Sequence, residues 1–423
     1  MNLADPKRNQ NAVMRSLLIA ACVALGAIAT SPSRAAGPND SCLMCHSDPA
    51  AKNASGKSLG LVPARFSASV HGALGLKCTD CHRDASAAKL PHAPKLKPVD
   101  CAGCHDTAVK EYAATVHGKA RAGGNPVAAA CGDCHGATHE VLPSSNPHSP
   151  TNRVNLEGTC GGCHGNEKIV AQAHLPGGNV QAKYHDSTHG RLIREAGVTA
   201  TMVPTCTTCH GTHGILSKSE SASRVARKNI PDTCGACHQR QHAIYDQGLH
   251  GKLQHAGNPA APVCTDCHSA HTIERARKPE WQVALIGQCG NCHDEYISSY
   301  RRTYHGKVTD LGFADMATCA SCHGAHDVRP ASDPLSTVSP QNRLQTCRNC
   351  HKNAGAQFVS WDPHPRPADR NRSPVLYLTN TFMQVLLAGV FVFFGLHTGL
   401  WAYRSIGDVL RRRREGADSK ENR

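Results

Sequence analysis

Twenty-two of the 23 cysteines in this 423-residue chain fall into eleven copies of Cys-x-x-Cys-His. The pairs are Cys42 and Cys45, Cys78 and Cys81, Cys101 and Cys104, Cys131 and Cys134, Cys160 and Cys163, Cys206 and Cys209, Cys234 and Cys237, Cys264 and Cys267, Cys289 and Cys292, Cys319 and Cys322, and Cys347 and Cys350. Thiols at i and i+3 reach the two vinyl groups on one porphyrin edge, and the next histidine can turn under the iron. This is the attachment signature of c-type haem. Zinc ribbons also open with Cys-x-x-Cys, but here every copy ends in His and no cysteine outside the leader is left over. The spacing predicts eleven covalent haems. Their proximal ligands are His46, His82, His105, His135, His164, His210, His238, His268, His293, His323 and His351.

Seventeen of the 28 histidines remain for the far side of each iron. Five stand in His-Gly pairs clear of any motif: His71, His117, His189, His250 and His305. Four follow the second motif of a pair at three or four residues: His139, His213, His271 and His326. Residues so spaced share a helix face, so such a histidine cannot cross to the far side of its own haem. It is predicted to ligate a neighbouring one. His92 is available to the first pair of motifs and His364 to the last haem, which makes eleven distal candidates. His148, His174, His185, His242, His255 and His397 are left over, and an exchange among His174, His185 and His189 stays open. Met202 and Met316 read as packing rather than as axial ligands, and all-histidine ligation implies low potentials.

The elements that must position these groups repeat. The first motif of each pair starts at 42, 101, 160, 234 and 289, with a lone eleventh at 347. A near-constant period marks an array whose units bury their faces against neighbours. We read two-haem modules at about 40–98, 99–157, 158–231, 232–286 and 287–344, with a final haem at 345–362. Tyr112, Tyr245 and Tyr300 lie seven residues after a first-motif histidine, and Phe358 holds that place after His351. Two helical turns put histidine and aromatic on one face. The expectation is a helix that leaves the motif, lays the aromatic on a macrocycle, and ends at Gly118, Gly251 or Gly306. Aromatics are only 4% of the chain. The expected fold is therefore mainly α with long loops and almost no sheet, cored by haem, and dependent on haem for folding as small metal domains depend on their metal.

The ends add topology. Residues 1–35 read as a signal peptide: Lys7, Arg8 and Arg15, an apolar run, then Ser33-Arg34-Ala35. Cys22 lies inside that run, too early for a lipoprotein site to be the first reading. Residues 363–374 are a proline-rich linker. Residues 375–403 contain no charged residue and are long enough to span a bilayer. Arg404 and Arg411–Arg414 follow, which puts the 404–423 tail in the cytoplasm and the haem domain, 36–362, in the periplasm. Leader and tail account for six of the fourteen formal positive charges. The +8 that remains becomes about −3 once eleven ferric haems with ionised propionates are counted. The basic balance therefore does not indicate nucleic acid. His397 is an ionisable group within the span, which makes it a functional candidate, here a contact to a b-type haem in a partner.

The stretches "SVHG", "CTDCHSAH" and "YHGKVTDLGFADMATCASCHGAHDVRPASDP" resemble bacterial membrane-anchored multihaem cytochromes c with paired motifs, of the kind partnered by a di-haem cytochrome b. Periplasmic decahaem cytochromes of extracellular electron-transfer conduits are similar, and octahaem tetrathionate reductases more loosely so. The resemblance spans about residues 40–403. Tetrahaem quinol dehydrogenases differ in having an N-terminal anchor. The resemblance implies an electron carrier at the inner membrane of a Gram-negative bacterium. Its partners would be a quinol-linked cytochrome b and periplasmic or outer-membrane redox proteins. The alternative is a reductase of a small nitrogen or sulfur oxyanion (tetrathionate, nitrite or hydroxylamine type) at one open haem. Such enzymes often replace a motif histidine by lysine, and here all eleven end in His. A third reading is an internal relay subunit of a larger respiratory complex.

Overall fold

A computed structural model describes residues 37–421 apart from positions 54, 87, 88, 90, 91, 94, 200, 277 and 314; the leader with Cys22 lies outside the described residues. Short helices alternate with turns up to a final helix, Pro374–Glu421. Among the described residues the only β pairing is an isolated bridge between Lys52 and Ser58. The architecture is mainly α with long loops, as composition and motif spacing imply.

The chain divides into two compact units. One runs through Lys110 and includes Ala129–Asn152; the other is Glu111–Ala128 with Arg153 onward. Among the described residues the polypeptide's own buried apolar side chains are few: Leu156, Ile193, Ile230, Val263, Ile286, two tyrosines and four alanines. The most deeply buried side chains are hydroxyls instead, among them Ser69, Ser149, Ser187, Ser336 and Thr115. Each such hydroxyl satisfies backbone at a tight turn, because an unpaired buried polar group is costly.

The two motifs of a module differ in local chemistry. In second motifs the residue before the second cysteine is Asp80, Asp133, Thr208, Asp266 or Ser321. Its side chain accepts the N–H of the residue preceding the first cysteine: Lys77 at 2.7 Å, Ala130 at 2.7 Å, Thr205 at 3.0 Å, Val263 at 2.7 Å and Thr318 at 3.1 Å. This bond satisfies an otherwise orphan donor at the start of a four- or five-residue helix. First motifs carry Met44, Gly103, Gly162, Ala236 or Asn291 there and continue or follow longer helices such as Ala102–Ala113 and Leu156–His164.

The glycines of the His-Gly pairs are not terminators. Helices carrying Tyr112, Tyr245 and Tyr300 stop before the glycine, and a second helix starts with it inside the first turn: Val116–Ala122, Leu249–His255 and Tyr304–Asp310. The reason for glycine is close approach. A Cβ at Gly72, Gly118, Gly190, Gly251 or Gly306 would lie 1.9–2.2 Å from the carbonyl oxygen of Phe66, Tyr112, Tyr184, Tyr245 or Tyr300. Thr115 shows how the corner closes. Its hydroxyl donates to the Tyr112 carbonyl at 2.6 Å and accepts the Gly118 N–H at 3.0 Å. Ser187 and Thr303 do the same.

The segment ahead of the final helix is tied back onto the last module. Arg366 pairs with Glu295 at 2.7 Å and lies 5.4 Å from the centre of the Tyr296 ring. Arg372 grips both carboxylate oxygens of Asp362 at 3.1 Å. Pro374 opens the final helix, where its missing N–H costs nothing. That helix is long and apolar enough to cross a membrane and continues unbroken through the arginines at 411–414.

Candidate haem sites

Histidines far apart in sequence face each other in pairs. In the first unit these are His46 with His92, His105 with His71, and His82 with His139, at ring-centre separations of 6.0, 6.1 and 6.1 Å. In the second they are His164 with His117 (6.2 Å), His238 with His189 (6.3 Å), His210 with His271 (6.1 Å), and His293 with His250 (6.5 Å). His268 with His326, His351 with His305, and His323 with His364 complete the second unit at 6.1, 6.0 and 6.2 Å. Each pair joins one motif histidine to one distal candidate. His135 belongs to the first unit and His213 to the second.

The separation has a physical meaning. With a metal–imidazole bond of about 2 Å and each ring centre ~1.1 Å behind its nitrogen, trans ligands hold their centres about 6.2 Å apart. Uncoordinated rings in van der Waals contact would have no reason to share that value ten times. The residues present therefore fit a bis-histidine iron.

A motif's own nearby histidine never faces it. His271 stands three residues from His268 but opposes His210, while His268 opposes His326. The sulfurs place the motifs of a module side by side. The sulfurs of Cys42 and Cys78, of Cys160 and Cys206, of Cys234 and Cys264, and of Cys289 and Cys319 are near neighbours. No disulfide forms among the described cysteines.

Several imidazoles are held neutral, as ligation requires. Burial pushes His117, His189, His210, His250, His268, His305 and His323 below the ordinary imidazole range, and the facing histidine pushes the same way. At His364 the tautomer is fixed as well. The Ser299 hydroxyl donates to the Tyr296 carbonyl at 2.9 Å, so at 3.0 Å it must accept from His364 Nδ1–H. That leaves the Nε2 lone pair free for a metal. His46 Nδ1 lies 3.2 Å from the Leu59 carbonyl, which can only accept.

Three of the left-over histidines meet carboxylates instead. His185 Nδ1 is 2.6 Å from Glu157, His255 is 2.9 Å from Asp246, and His242 lies 3.6 Å from both Asp232 and Asp246. The structure thus pairs His189 with a motif histidine and sends His185 elsewhere. His397 lies in the final helix.

Phe358 packs on His351 at 4.9 Å, the neighbour its seven-residue spacing points to. Two other neighbours of the pairs were not legible as such: Trp281 stacks on His268 at 5.0 Å, and Trp361 meets His305 edge-on at 6.5 Å. Tyr184 and Phe66 also belong with the three tyrosines. A single pattern, aromatic-x-x-Ser/Thr/Gly-x-His-Gly, occurs five times, at 66–72, 112–118, 184–190, 245–251 and 300–306, and would have found both.

No family model matches the chain. It is 28% identical over 148 residues to the cytochrome c-type protein NrfB of Escherichia coli O6:H1, an alignment covering 31% of this chain and 72% of that protein. In sequence the chain is similar to a c-type cytochrome, and its cysteines and helical fold fit a protein that carries several c-type haems.

Proposed function

We propose that the protein carries eleven covalent c-type haems, each closed by two histidines, and works as an electron-transfer protein rather than an enzyme. The single observation that carries this reading is the set of ten histidine pairs with centres 6.0–6.5 Å apart. The haems supply reversible one-electron chemistry. The chain's part is to anchor each through two thioethers, hold its axial nitrogens, and keep substrate-sized molecules off the iron. A reductase of a nitrogen or sulfur oxyanion would need one iron without a second ligand, and the histidine census leaves none short.

The mature protein is expected to exceed its processed polypeptide mass by eleven haems. Its oxidised electron paramagnetic resonance spectrum should contain no stoichiometric high-spin ferric signal. Eight or nine haems would remove the count, and one full high-spin equivalent would move the assignment to the reductase.

The C-terminal helix supports a place in the respiratory chain. Residues 375–403 would rise about 43 Å as helix, enough to cross the inner membrane once with some tilt. The haem domain would then lie in the periplasm. The electron partners are a membrane cytochrome b linked to quinol and a periplasmic or outer-membrane redox protein. His397 would lie about 10 Å from the cytoplasmic interface, where it would contact a b-type haem of that partner. Purified in detergent with its partner, the His397→Ala protein should lose non-covalent b haem by pyridine haemochrome and slow quinol-dependent reduction of the c haems. Unchanged values in both would leave His397 a bystander.

A further inference from the structure

We infer that four of the aromatic-x-x-Ser/Thr/Gly-x-His-Gly elements, those at 66–72, 184–190, 245–251 and 300–306, are clamps that set how a second-motif haem meets the haem that follows it. The bond to the carbonyl two residues ahead of the second motif is their positioning contact. The inference rests on the haem assignment above.

The element at 184–190 reaches three ligand-bearing segments at once. Tyr184 donates its hydroxyl to the Pro204 carbonyl at 2.9 Å, two residues ahead of Cys206. The Thr188 N–H donates to the Ile273 carbonyl at 2.7 Å, two residues beyond His271. His189 itself faces His238. Cys206 and His210 with His271 embrace one iron, and His189 belongs to the next. One rigid corner therefore fixes both faces of one haem and a face of its successor.

The arrangement recurs with the same register. Tyr245 donates to the Pro262 carbonyl at 2.8 Å, two residues ahead of Cys264; Leu249 N–H donates to the Val328 carbonyl at 2.8 Å, two beyond His326; and His250 faces His293. Tyr300 donates to the Ala317 carbonyl at 2.8 Å, two residues ahead of Cys319. There the tie to the far ligand comes from the adjacent Ser299, on His364. Burial raises all three phenols, Tyr245 to about 12, so they remain donors at physiological pH.

The first module isolates what matters. Phe66 has no hydroxyl, yet its carbonyl makes the same close approach to Gly72 as the tyrosines make to theirs. The carbonyl two residues ahead of Cys78 is Leu76, and it accepts from the Asn39 side-chain amide at 3.3 Å. The same Asn39 accepts the Cys78 N–H at 2.8 Å. A different donor on the same carbonyl means that the hydrogen bond, rather than the phenol ring, is the retained feature.

The test uses full-length protein in detergent. Asn39→Ala should keep eleven haems by mass and displace a low-spin resonance signal worth one haem in eleven, and Phe66→Tyr added to it should restore the parent spectrum. Tyr245→Phe and Tyr300→Phe should each displace one haem's signal, and they keep the test open if the Asn39 variant does not assemble. Spectra of haem-complete variants that superimpose on the parent would overturn the inference, even with lowered melting temperature. So would failure of Phe66→Tyr to rescue. A parent protein with fewer than eleven haems would instead overturn the haem assignment.

Discussion

His326→Ala should leave all eleven haems attached and turn one of them high-spin: the haem on Cys264 and Cys267, not the haem on Cys319 and Cys322 beside it in sequence. His326 stands three residues from His323, but its ring faces His268 at 6.1 Å and 12°. His323 faces His364 at 6.2 Å. Alanine at 326 removes one axial nitrogen and no covalent bond. The oxidised protein should gain one equivalent of high-spin ferric signal, and the reduced protein should bind one carbon monoxide. His364→Ala should give the same yield from a different iron. The double variant discriminates. Two equivalents mean that the histidines serve separate irons, while one equivalent would sink ligation across modules.

Gly251→Ala should be among the most damaging single methyls in the haem domain. The new Cβ would sit 2.2 Å from the Tyr245 carbonyl oxygen and 2.8 Å from the Asp246 Cα, both backbone atoms that cannot swing aside. Opening the corner also pulls His250 from His293 and Leu249 from the Val328 carbonyl. Overpacking against fixed backbone costs about 3 kcal/mol or more. Gly158→Ala is the control. It lies in the helix Leu156–His164 with nothing within 4 Å of the added carbon, so alanine should be neutral or stabilise by roughly 0.5–1 kcal/mol. Thermal melting and the yield of haem-loaded protein measure both. Equal melting temperatures for the two variants would mean that the corner yields and that glycine there is incidental.

Local chemistry was the legible part of this chain. Motif spacing names the cysteines and histidines, and low aromatic content with frequent turn residues implies short helices without sheet. The run from 375 to 403 marks the apolar helix. What the sequence could not supply is which particular segments meet. His185 and His189 are equivalent in local pattern, and only folding turns one toward Glu157 and the other toward His238. The glycines mislead for the same reason. Gly118 after a tyrosine helix looks like a terminator when helix ends are judged from one strand of sequence. Its constraint comes instead from the carbonyl of Tyr112 folding back against it. The tyrosines were seen as aromatic surface, because nothing local shows that a hydroxyl meets a carbonyl 17 or 20 residues later.

The crossed pairing carries a consequence for how the protein is made. With these pairs as axial ligands, a chain exported from its N-terminus presents them in a fixed order. For the haems on Cys101, Cys160, Cys234, Cys289 and Cys347, the partner histidine (His71, His117, His189, His250 or His305) has emerged before the motif does. Those irons can close on attachment. The haems on Cys42, Cys78, Cys206, Cys264 and Cys319 would have to wait for His92, His139, His271, His326 and His364. Maturation would then proceed with an open iron trailing the point of export, passed from module to module. The last to wait is the haem on Cys319, and His364 reaches it only ten residues before Pro374 begins the helix that ends the journey. A chain stalled before His364 would leave the haem on Cys319 with one histidine only, near its trailing end.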